Sequence, residues 1–391
     1  MKVIYFSSLC TSEKFNSIFT NLKTSPGQQC LKYHTLLAEG FVKNGVEVET
    51  VSALPVTMAN YSGKYIKSST EIKNGVKYNY LPIINLPVIK RLFVILSTFN
   101  KTLKLCRKDK DVILIADVLN ISIVMGLRLA LLLKKRKNIG IITDLPDLIP
   151  GQDKKIIAKI NNFLMNSFEY YVFLTKKMSD MVKCSPDKYT VIEGQVDINM
   201  QDIDVDVSGK YKKKVCIYAG SLHKCYGIDY LIEGFALADI KDAELHIYGN
   251  GDYVSEIEEL CKKFPSIKYM GVKPNAEIVA EELKATLLIN PRHSSGEYVE
   301  YSFPSKTLEY MVSGTPTLTT DLAGMPSEYH DYVFIIKDET AKGIAKDLKQ
   351  ILSKTPEELN DFGKNAKKFV LHDKNNLVAS RKILELIEKK N

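Results

Sequence analysis

Two successive series of short, apolar, β-branched runs separated by helical patterns constrain the fold of this chain more than any other feature. The first series ends near Val196 and the second occupies residues 215–336. Strands that alternate with helices are typical of a parallel sheet flanked by helices. We therefore predict an α/β fold with two Rossmann-like, doubly wound parallel sheets, one in each half of the chain.

The apolar runs place the strands. Strands are predicted at about 2–8, 46–53, 112–116, 138–143, 170–174 and 189–193 in the first half, and near 215–219, 244–248, 267–270, 286–289, 316–319 and 332–336 in the second. Helices are predicted at 28–44 and 119–134. The second of these belongs to an apolar stretch that contains Asp117, Asn120 and Arg128, and such charges are costly in a bilayer. We expect residues 57–87 to form a less regular excursion.

A polar segment separates the two series. Residues 197–214 are dense in Asp and Lys and contain Gly209, so we interpret them as an interdomain linker. The chain has 391 residues, 45% of them hydrophobic, which suits two domains better than one. The predicted domains are residues 1–198 and 199–373.

The cysteines and the charge distribution suggest the cellular compartment and the kind of surface that the chain meets. The seven cysteines are scattered without metal-site or disulfide spacing, and the first residues do not resemble a secretory signal, so we expect a cytoplasmic protein. Residues 1–200 hold 28 Lys+Arg and 16 Asp+Glu (net +12), whereas residues 201–391 hold 26 and 30 (net −4). The basic half suits an anionic acceptor or membrane surface, or serves solubility. Residues 88–108 either lie on such a membrane as an amphipathic helix or pack on the sheet.

Residues 302–316 predict a short helix with an anion-binding N-terminus. Ser305 is a suitable N-cap after Pro304, and Gly314 is a suitable left-handed stop. The first amides of the helix, at Ser305, Lys306 and Thr307, would lack intrahelical partners and would face a phosphate together with the charge of Lys306. Glu309 then either accepts hydrogen bonds from a neighbouring diol or is an ordinary surface residue.

Three further loops follow predicted strands of the second half, where open α/β sheets bind ligands. The first loop contains Gly220, Ser221, Lys224 and Gly227, so its backbone can approach a ligand closely while Lys224 neutralises a phosphate. The second contains Gly249, and the third, residues 290–304, contributes Arg292. The first two loops could instead be simple tight turns, the first with an exposed lysine, whereas the third is long for a connection between a strand and a helix.

Two loops of the first half occupy comparable places. Gly27 lies at the start of the helix after the first strand, either against a ligand or in a simple turn. Asp144 and Asp147 follow a buried strand, where they could bind acceptor hydroxyls or cap the next segment. We favour a functional role for Asp144 and leave Asp147 open.

These motifs resemble, in order and across most of the chain, those of GT-B glycosyltransferases, in particular retaining glycosyltransferase family 4. The resemblance implies two Rossmann-like domains that face a central cleft, with the C-terminal helix, 374–391, returning to the first domain. It implies that Glu309 holds the ribose of a nucleotide sugar, that Lys224 and the helix amides hold its pyrophosphate, and that Gly249 lies beside the base. The chain departs from the family at four positions, which are Thr143, Ser221, Tyr226 and Tyr301.

The resemblance also implies a function. We expect a retaining transferase that moves a sugar from a nucleotide-diphosphate sugar, a UDP-sugar by preference, to a saccharide or lipid-linked acceptor in bacterial surface-glycan synthesis. Lys224, Glu309 and Asp144 are the predicted catalytic residues. The predicted ligand-binding residues are Gly27, Gly220, Ser221, Gly249, Arg292, Tyr301, Ser305, Lys306 and Thr307. No metal cofactor and no nucleic-acid partner are expected. A sugar-nucleotide epimerase of the same architecture and a non-catalytic nucleotide-sugar-binding subunit remain as alternatives.

Overall fold

The chain folds into two compact units. Unit 1 comprises Met1–Gln195 and Asn376–Asn391, and unit 2 comprises Val196–Asn375. The predicted domain boundaries, after residues 198 and 373, lie within three residues of these bounds. The computed structural model describes residues 1–19, 29–144, 155–202, 207–295 and 297–388. Within those ranges, no helix has both the length and the apolar character that a membrane crossing requires.

Sixteen strands are described along the chain. They are β1 (Lys2–Ser7), β2 (Glu47–Ser52), β3 (Tyr65–Ile66), β4 (Ser69–Lys73), β5 (Val76–Tyr80), β6 (Ile83–Ile84), β7 (Val112–Asp117), β8 (Asn138–Ile142), β9 (Tyr170–Phe173), β10 (Tyr189–Val191), β11 (Lys214–Ser221), β12 (Ala243–Asn250), β13 (Ile267–Gly271), β14 (Leu287–Asn290), β15 (Thr317–Thr320) and β16 (Phe334–Ile336).

The α-helices of the described residues lie between and after these strands. They are α1 (Ser12–Phe19), α2 (Gln29–Lys43), α3 (Ile89–Lys108), α4 (Ile121–Leu133), α5 (Lys155–Met165), α6 (Ile228–Ala238), α7 (Val254–Lys263), α8 (Asn275–Lys284), α9 (Ser305–Ser313), α10 (Ala341–Leu352), α11 (Pro356–Asp373) and α12 (Asn376–Glu388).

Unit 1 contains an eight-stranded sheet in the order β10-β9-β8-β7-β1-β2-β5-β4. All neighbours are parallel except β4, which is antiparallel to β5. Every residue of β1 and β7 is buried, because helices cover both faces of a parallel sheet. The predicted irregular excursion is wrong at β4 and β5, which extend this sheet. The polar edge strand β4 is mostly exposed and therefore lacks an apolar run that could mark it in the sequence.

The C-terminal helix α12 packs against α2 within unit 1. A Cβ atom at Gly40 would lie 2.1 Å from the carbonyl oxygen of Asn376, so α2 and α12 approach closely through a glycine. Asn44 Nδ2 also donates to the carbonyl of Leu377 at 2.9 Å. Through these contacts α12, which follows unit 2 in the sequence, packs on α2 of unit 1.

Unit 2 contains a six-stranded, fully parallel sheet in the order β13-β12-β11-β14-β15-β16. The six strands predicted for the second half correspond to these six, and their prediction is confirmed. Helices α6 and α10 contribute apolar side chains to one core with β11 and β12, in which Leu231, Leu245 and Leu348 are fully buried. Because every strand is parallel, the carboxyl ends of β11, β12, β14 and β15 meet at one edge of the sheet.

Candidate functional site

The carboxyl edge of the unit 2 sheet gathers most of the predicted ligand-binding residues. Gly220 and Ser221 end β11, and Gly249 lies next to last in β12. Arg292 follows β14, and helix α9 lies between that loop and β15. The structure therefore places four separate sequence motifs around one edge.

Two glycines let the backbones of these loops touch. Gly249 has a φ of +134°, and a Cβ atom there would lie 1.8 Å from the carbonyl oxygen of Gly220. Gly227 has a φ of +73°, and its Cβ atom would lie 2.0 Å from the carbonyl oxygen of Pro291. A side chain at either position would be excluded both by conformation and by space. The loops after β11, β12 and β14 therefore form one continuous surface.

Helix α9 brings Lys306 to the same surface. A Cβ atom at Gly220 would lie 3.0 Å from Cε of Lys306, so the lysine stem crosses the end of β11. Tyr310, one turn further along α9, is fully buried, and its hydroxyl accepts a hydrogen bond from the amide of Ala219 at 3.1 Å. The bond attaches α9 to β11 and fixes Lys306 relative to Gly220.

Two further cations are held on aromatic rings at this edge. Lys224 Nζ lies 4.9 Å from the centroid of the Tyr253 ring, and Cζ of Arg292 lies 5.8 Å from the centroid of the Tyr226 ring. Both distances are within the range of a cation–π interaction. The Tyr226 ring thus supports the cation of Arg292. The contribution of the two tyrosines was missed from the sequence, because the ring and the cation belong to different loops.

The loops after β11 and β12 are joined again by a contact between a histidine and a carboxylate. His223 Nδ1 lies 2.8 Å from a carboxylate oxygen of Asp252. His223 precedes Lys224, and Asp252 precedes Tyr253, so the pair aligns the two loops that form the Lys224–Tyr253 contact. This second contact was also missed, because neither residue belongs to a recognisable motif.

The predicted N-terminus of α9 requires a correction. Helix α9 begins at Ser305 and is preceded by Pro304, with no side-chain capping bond, so the prediction of Ser305 as N-cap is wrong. The amide of Ser305 donates to the carbonyl of Phe303 at 2.9 Å, and the amide of Thr307 donates to the carbonyl of Pro304 at 2.8 Å. Both acceptors precede the helix, so the prediction that these two amides are available to a phosphate is wrong, although neither amide has a partner within α9. The reason is local, because the chain turns tightly as it enters α9 and brings the carbonyls of Phe303 and Pro304 within reach of amides two and three residues further on.

The side chain of Thr307 packs inside unit 2. Its side chain is fully buried, and Oγ1 lies 3.4 Å from Nδ2 of Asn290, the last residue of β14. The hydroxyl therefore packs α9 against β14 and faces the interior. The end of the helix does follow the prediction, because Gly314 adopts the left-handed conformation with a φ of +77°.

The remaining predicted residues of unit 2 lie along the same edge. Glu309 is half-buried and lies three residues after Lys306, which places both on one face of α9. Tyr301 is half-buried in the short 3-10 turn Glu297–Tyr301 that precedes α9. Ser221 is exposed at the end of β11, where its carbonyl accepts a hydrogen bond from the Tyr218 hydroxyl at 2.8 Å.

The predicted residues of unit 1 form a separate set. Asp144 is exposed and follows β8 by two residues, at the carboxyl end of that strand. Thr143, between them, has a buried Oγ1 atom. Gly27 and Asp147 lie outside the described residues, so both remain predictions from the sequence.

Unit 1 also holds a buried polar cluster that sequence reasoning missed. The Tyr5 hydroxyl lies 2.7 Å from Nδ1 of His34, and Nε2 of His34 lies 3.4 Å from a carboxylate oxygen of Asp117. Burial, with smaller effects from Tyr33 and Asp117, raises the pKa of Tyr5 well above its usual value, so its hydroxyl stays protonated. The signal in the sequence was the single charge of Asp117 at the end of an otherwise apolar strand.

Comparisons with known proteins concern the family and the fold of the chain. Residues 200–369 match the family model for glycosyl transferases group 1, and this range lies entirely within unit 2. No curated protein sequence matches the chain.

Several solved structures have the same fold over nearly the whole chain. Sucrose-phosphate synthase from Thermosynechococcus elongatus shares 14% identity at a TM-score of 0.67, covering 100% of this chain and 99% of that one. HepE from Anabaena, in complex with UDP, shares 14% identity at a TM-score of 0.65, covering 100% of both chains. A glycosyltransferase from Rickettsia africae shares 13% identity at a TM-score of 0.66, covering 100% of this chain and 99% of that one.

At these identities, the likeness establishes the fold. The predicted α/β fold class, with the two Rossmann-like domains of GT-B glycosyltransferases, is confirmed. Together with the family match in unit 2, the fold supports a glycosyltransferase enzyme.

Proposed function

We propose that the chain is a retaining glycosyltransferase of family 4 that uses a UDP-sugar and transfers the sugar to a saccharide or lipid-linked saccharide. The observation that carries this proposal is the contact of Lys306 with Gly220 at the carboxyl edge of the unit 2 sheet, beside Lys224 and Arg292 on adjoining loops. Three cations around one edge suit the two phosphates of a nucleotide diphosphate. HepE, which has the same fold, was solved with UDP, and this supports uridine as the nucleoside.

In the proposed reaction, the acceptor oxygen bonds to the anomeric carbon of the donor, and the bond from that carbon to the diphosphate oxygen breaks. The leaving diphosphate gains negative charge, and its oxygen takes up the proton that the acceptor hydroxyl loses. Lys306 and Lys224 stabilise that charge electrostatically, so the proposal includes no metal. Because the amides of Ser305 and Thr307 have protein acceptors, we assign most of the anion stabilisation to the side-chain cations.

Glu309 is assigned to the ribose. A carboxylate accepts hydrogen bonds only, so it can hold two vicinal hydroxyls while it repels a phosphate. Its place three residues after Lys306 on α9 puts the anion-binding and diol-binding groups on one helix face. We assign the exposed carboxylate of Asp144 to the acceptor hydroxyls, with bacterial surface-glycan synthesis as the setting.

The experiment for this proposal measures UDP release from a panel of UDP-sugars, each with and without a panel of saccharide acceptors. We expect release that depends on both substrates and a product that keeps the anomeric configuration of the donor. Isomerised donor in the absence of acceptor would instead indicate an epimerase. Tight donor binding without any turnover would indicate a binding subunit.

The proposal extends to contact with an anionic membrane, for which α3 supplies the surface. Ile89, Leu92 and Leu96 are 49–59% exposed on α3 and follow a spacing of three and four residues. Arg91, Lys104, Arg107 and Lys108 are exposed basic residues of the same helix. Exposed apolar residues flanked by basic ones are typical of helices that lie in an anionic membrane interface.

Vesicle sedimentation tests this contact. We expect the chain to bind vesicles that contain phosphatidylglycerol more strongly than pure phosphatidylcholine vesicles. The double variant Leu92→Ser/Leu96→Ser should lose most of this binding. Leu237→Ser, at a residue 55% exposed on α6 of unit 2, is the matched control. Equal binding by the double variant and the control would contradict membrane contact through α3.

A further inference from the structure

Unit 1 contains a polar cavity that none of the predicted site residues lines. The cavity has a volume of about 580 Å³ and lies between the β4–β5 hairpin and the second half of α3. Its lining includes Ser69, Thr70, Asn79, Asn100, Lys101 and Lys104. Pockets for small ligands fall roughly in the range of 300–1,000 Å³, so this one is large enough for a sugar-sized molecule.

Asn79 fixes the position of one lysine in the cavity wall. The Asn79 side chain is buried, and its Nδ2 donates to Glu49 at 3.1 Å and to the carbonyl of Thr50 at 3.0 Å. Its Oδ1 must therefore point the other way, where it accepts a hydrogen bond from Lys101 Nζ at 2.9 Å. An ammonium group has three donors, and this bond uses one of them.

The positive charge of the cavity is not cancelled by Glu49, which bonds to the same Asn79 side chain as Lys101. Glu49 already has Lys2 Nζ at 2.7 Å and Lys77 Nζ at 3.3 Å. Within the described ranges, no carboxylate lies within 4.0 Å of Lys101 or Lys104, and no Asp or Glu lines the cavity. Burial, partly offset by Glu49, lowers the pKa of Lys101, which indicates that its charge is held away from water. An anionic group in the cavity would relieve that cost.

We propose that this cavity is a second binding site, separate from the nucleotide-sugar site, for a saccharide that carries a phosphate or a carboxylate. Lys101 and Lys104 bind the anionic group, and the hydroxyl and amide side chains of Ser69, Thr70 and Asn100 bind sugar hydroxyls. The shared chemistry is an anion on a polyhydroxylated ring. The inference depends on unit 1 alone and does not require the proposed transfer reaction.

Calorimetric titration of the full chain with glucose 6-phosphate, glucuronate and glucose tests this site. Saturating UDP is present, so that the proposed nucleotide site is occupied. We expect both anionic sugars to bind and neutral glucose to bind at least about tenfold more weakly. Lys306→Met should retain this binding, since Lys306 belongs to unit 2. Failure of the anionic sugars to bind, or equal affinity for glucose, would overturn the proposal.

Variants of α3 locate the binding. Lys101→Gln/Lys104→Gln should weaken glucose 6-phosphate binding by about tenfold or more, because two charge-assisted contacts are lost. Lys108→Gln removes an exposed charge from the same helix outside the cavity and should leave the affinity unchanged. Asn100→Asp adds a negative charge at an exposed lining residue without disturbing the Lys101–Asn79 bond, and it should also weaken binding. Equal affinities for the double variant, Asn100→Asp and Lys108→Gln would refute the assignment.

Discussion

Glu309 carries the most specific assignment at the scale of single residues, since it is the proposed ribose ligand. Replacing it by alanine should weaken binding of UDP by about 1–3 kcal/mol, because two hydrogen bonds from the ribose hydroxyls are lost. Titration calorimetry measures the change. Glu256→Ala, at an exposed carboxylate on α7 of the same unit, is the control. An affinity for UDP that does not change in Glu309→Ala would remove Glu309 from the site.

The close approach of Gly227 to Pro291 can be tested by substitution, because it helps to form the surface shared by the loops after β11, β12 and β14. Gly227→Ala must place a side chain in a left-handed conformation and also push Cβ against the Pro291 carbonyl, whereas Gly271→Ala meets only the first problem, since its φ is +72° and no atom lies within 4 Å of the added Cβ. We expect Gly271→Ala to cost about 1–2 kcal/mol of unfolding free energy and Gly227→Ala to cost more and to weaken UDP binding as well.

Denaturant unfolding and UDP titration of the two variants separate conformational strain from the backbone contact. Similar unfolding free energies and similar UDP affinities in the two variants would show that the Gly227–Pro291 approach does not shape the site.

At the scale of secondary-structure elements, Glu244 on β12 links three strands of the unit 2 sheet. It accepts hydrogen bonds from Lys213, which precedes β11, and from Lys268 on β13, both at 2.8 Å, and His246 is also within 3.0 Å. Hydrogen bonds from Lys213, Lys268 and His246 lower the pKa of Glu244 to about 2. In the unfolded chain the same carboxyl titrates near its usual value of 4.5.

This difference predicts how acid affects the stability of unit 2. Because the pKa is lower in the folded state, the stabilisation is fully present above pH 4.5 and is lost as the pH falls from 4.5 towards 2. Glu244→Gln should therefore lose less stability than the wild type between pH 5 and pH 3 in urea unfolding curves. Parallel pH profiles for the two proteins would show that the three partners do not hold the charged form.

The strands and helices also differ in how well the sequence predicted them. Most of the buried strands were found within a few residues, because continuous apolar, β-branched runs mark strands covered on both faces. Strands β4 and β5 were not found, because β4 is a polar edge strand and β5 carries Lys77 and Asn79 between its other residues. The first turn of α9 was wrong in detail, because the sequence showed a capping residue but not the nearby carbonyls of Phe303 and Pro304. Contacts between separate loops, such as Lys224 with Tyr253, depend on strand order, which no local pattern contains.

At the scale of the whole molecule, the two units differ in the ligands that they suit. The unit 2 sheet places three cations and Glu309 along one edge, which fits a nucleotide diphosphate. Unit 1 has a strongly basic sequence, exposed apolar residues on α3 and the cavity that contains Lys101, which suit an anionic membrane surface and an anionic saccharide. The proposed division assigns the donor to unit 2 and the acceptor to unit 1.

The most direct measurement of the central proposal is the affinity of UDP for the wild-type chain and for Lys306→Met, with Lys262→Met as a control at an exposed lysine on α7. We predict that UDP binds the wild type and Lys262→Met equally and binds Lys306→Met about tenfold or more weakly, because a charge-assisted contact with the diphosphate is lost. Absence of UDP binding by the wild type, or equal affinity in all three proteins, would contradict a nucleotide-diphosphate site at the carboxyl edge of the unit 2 sheet.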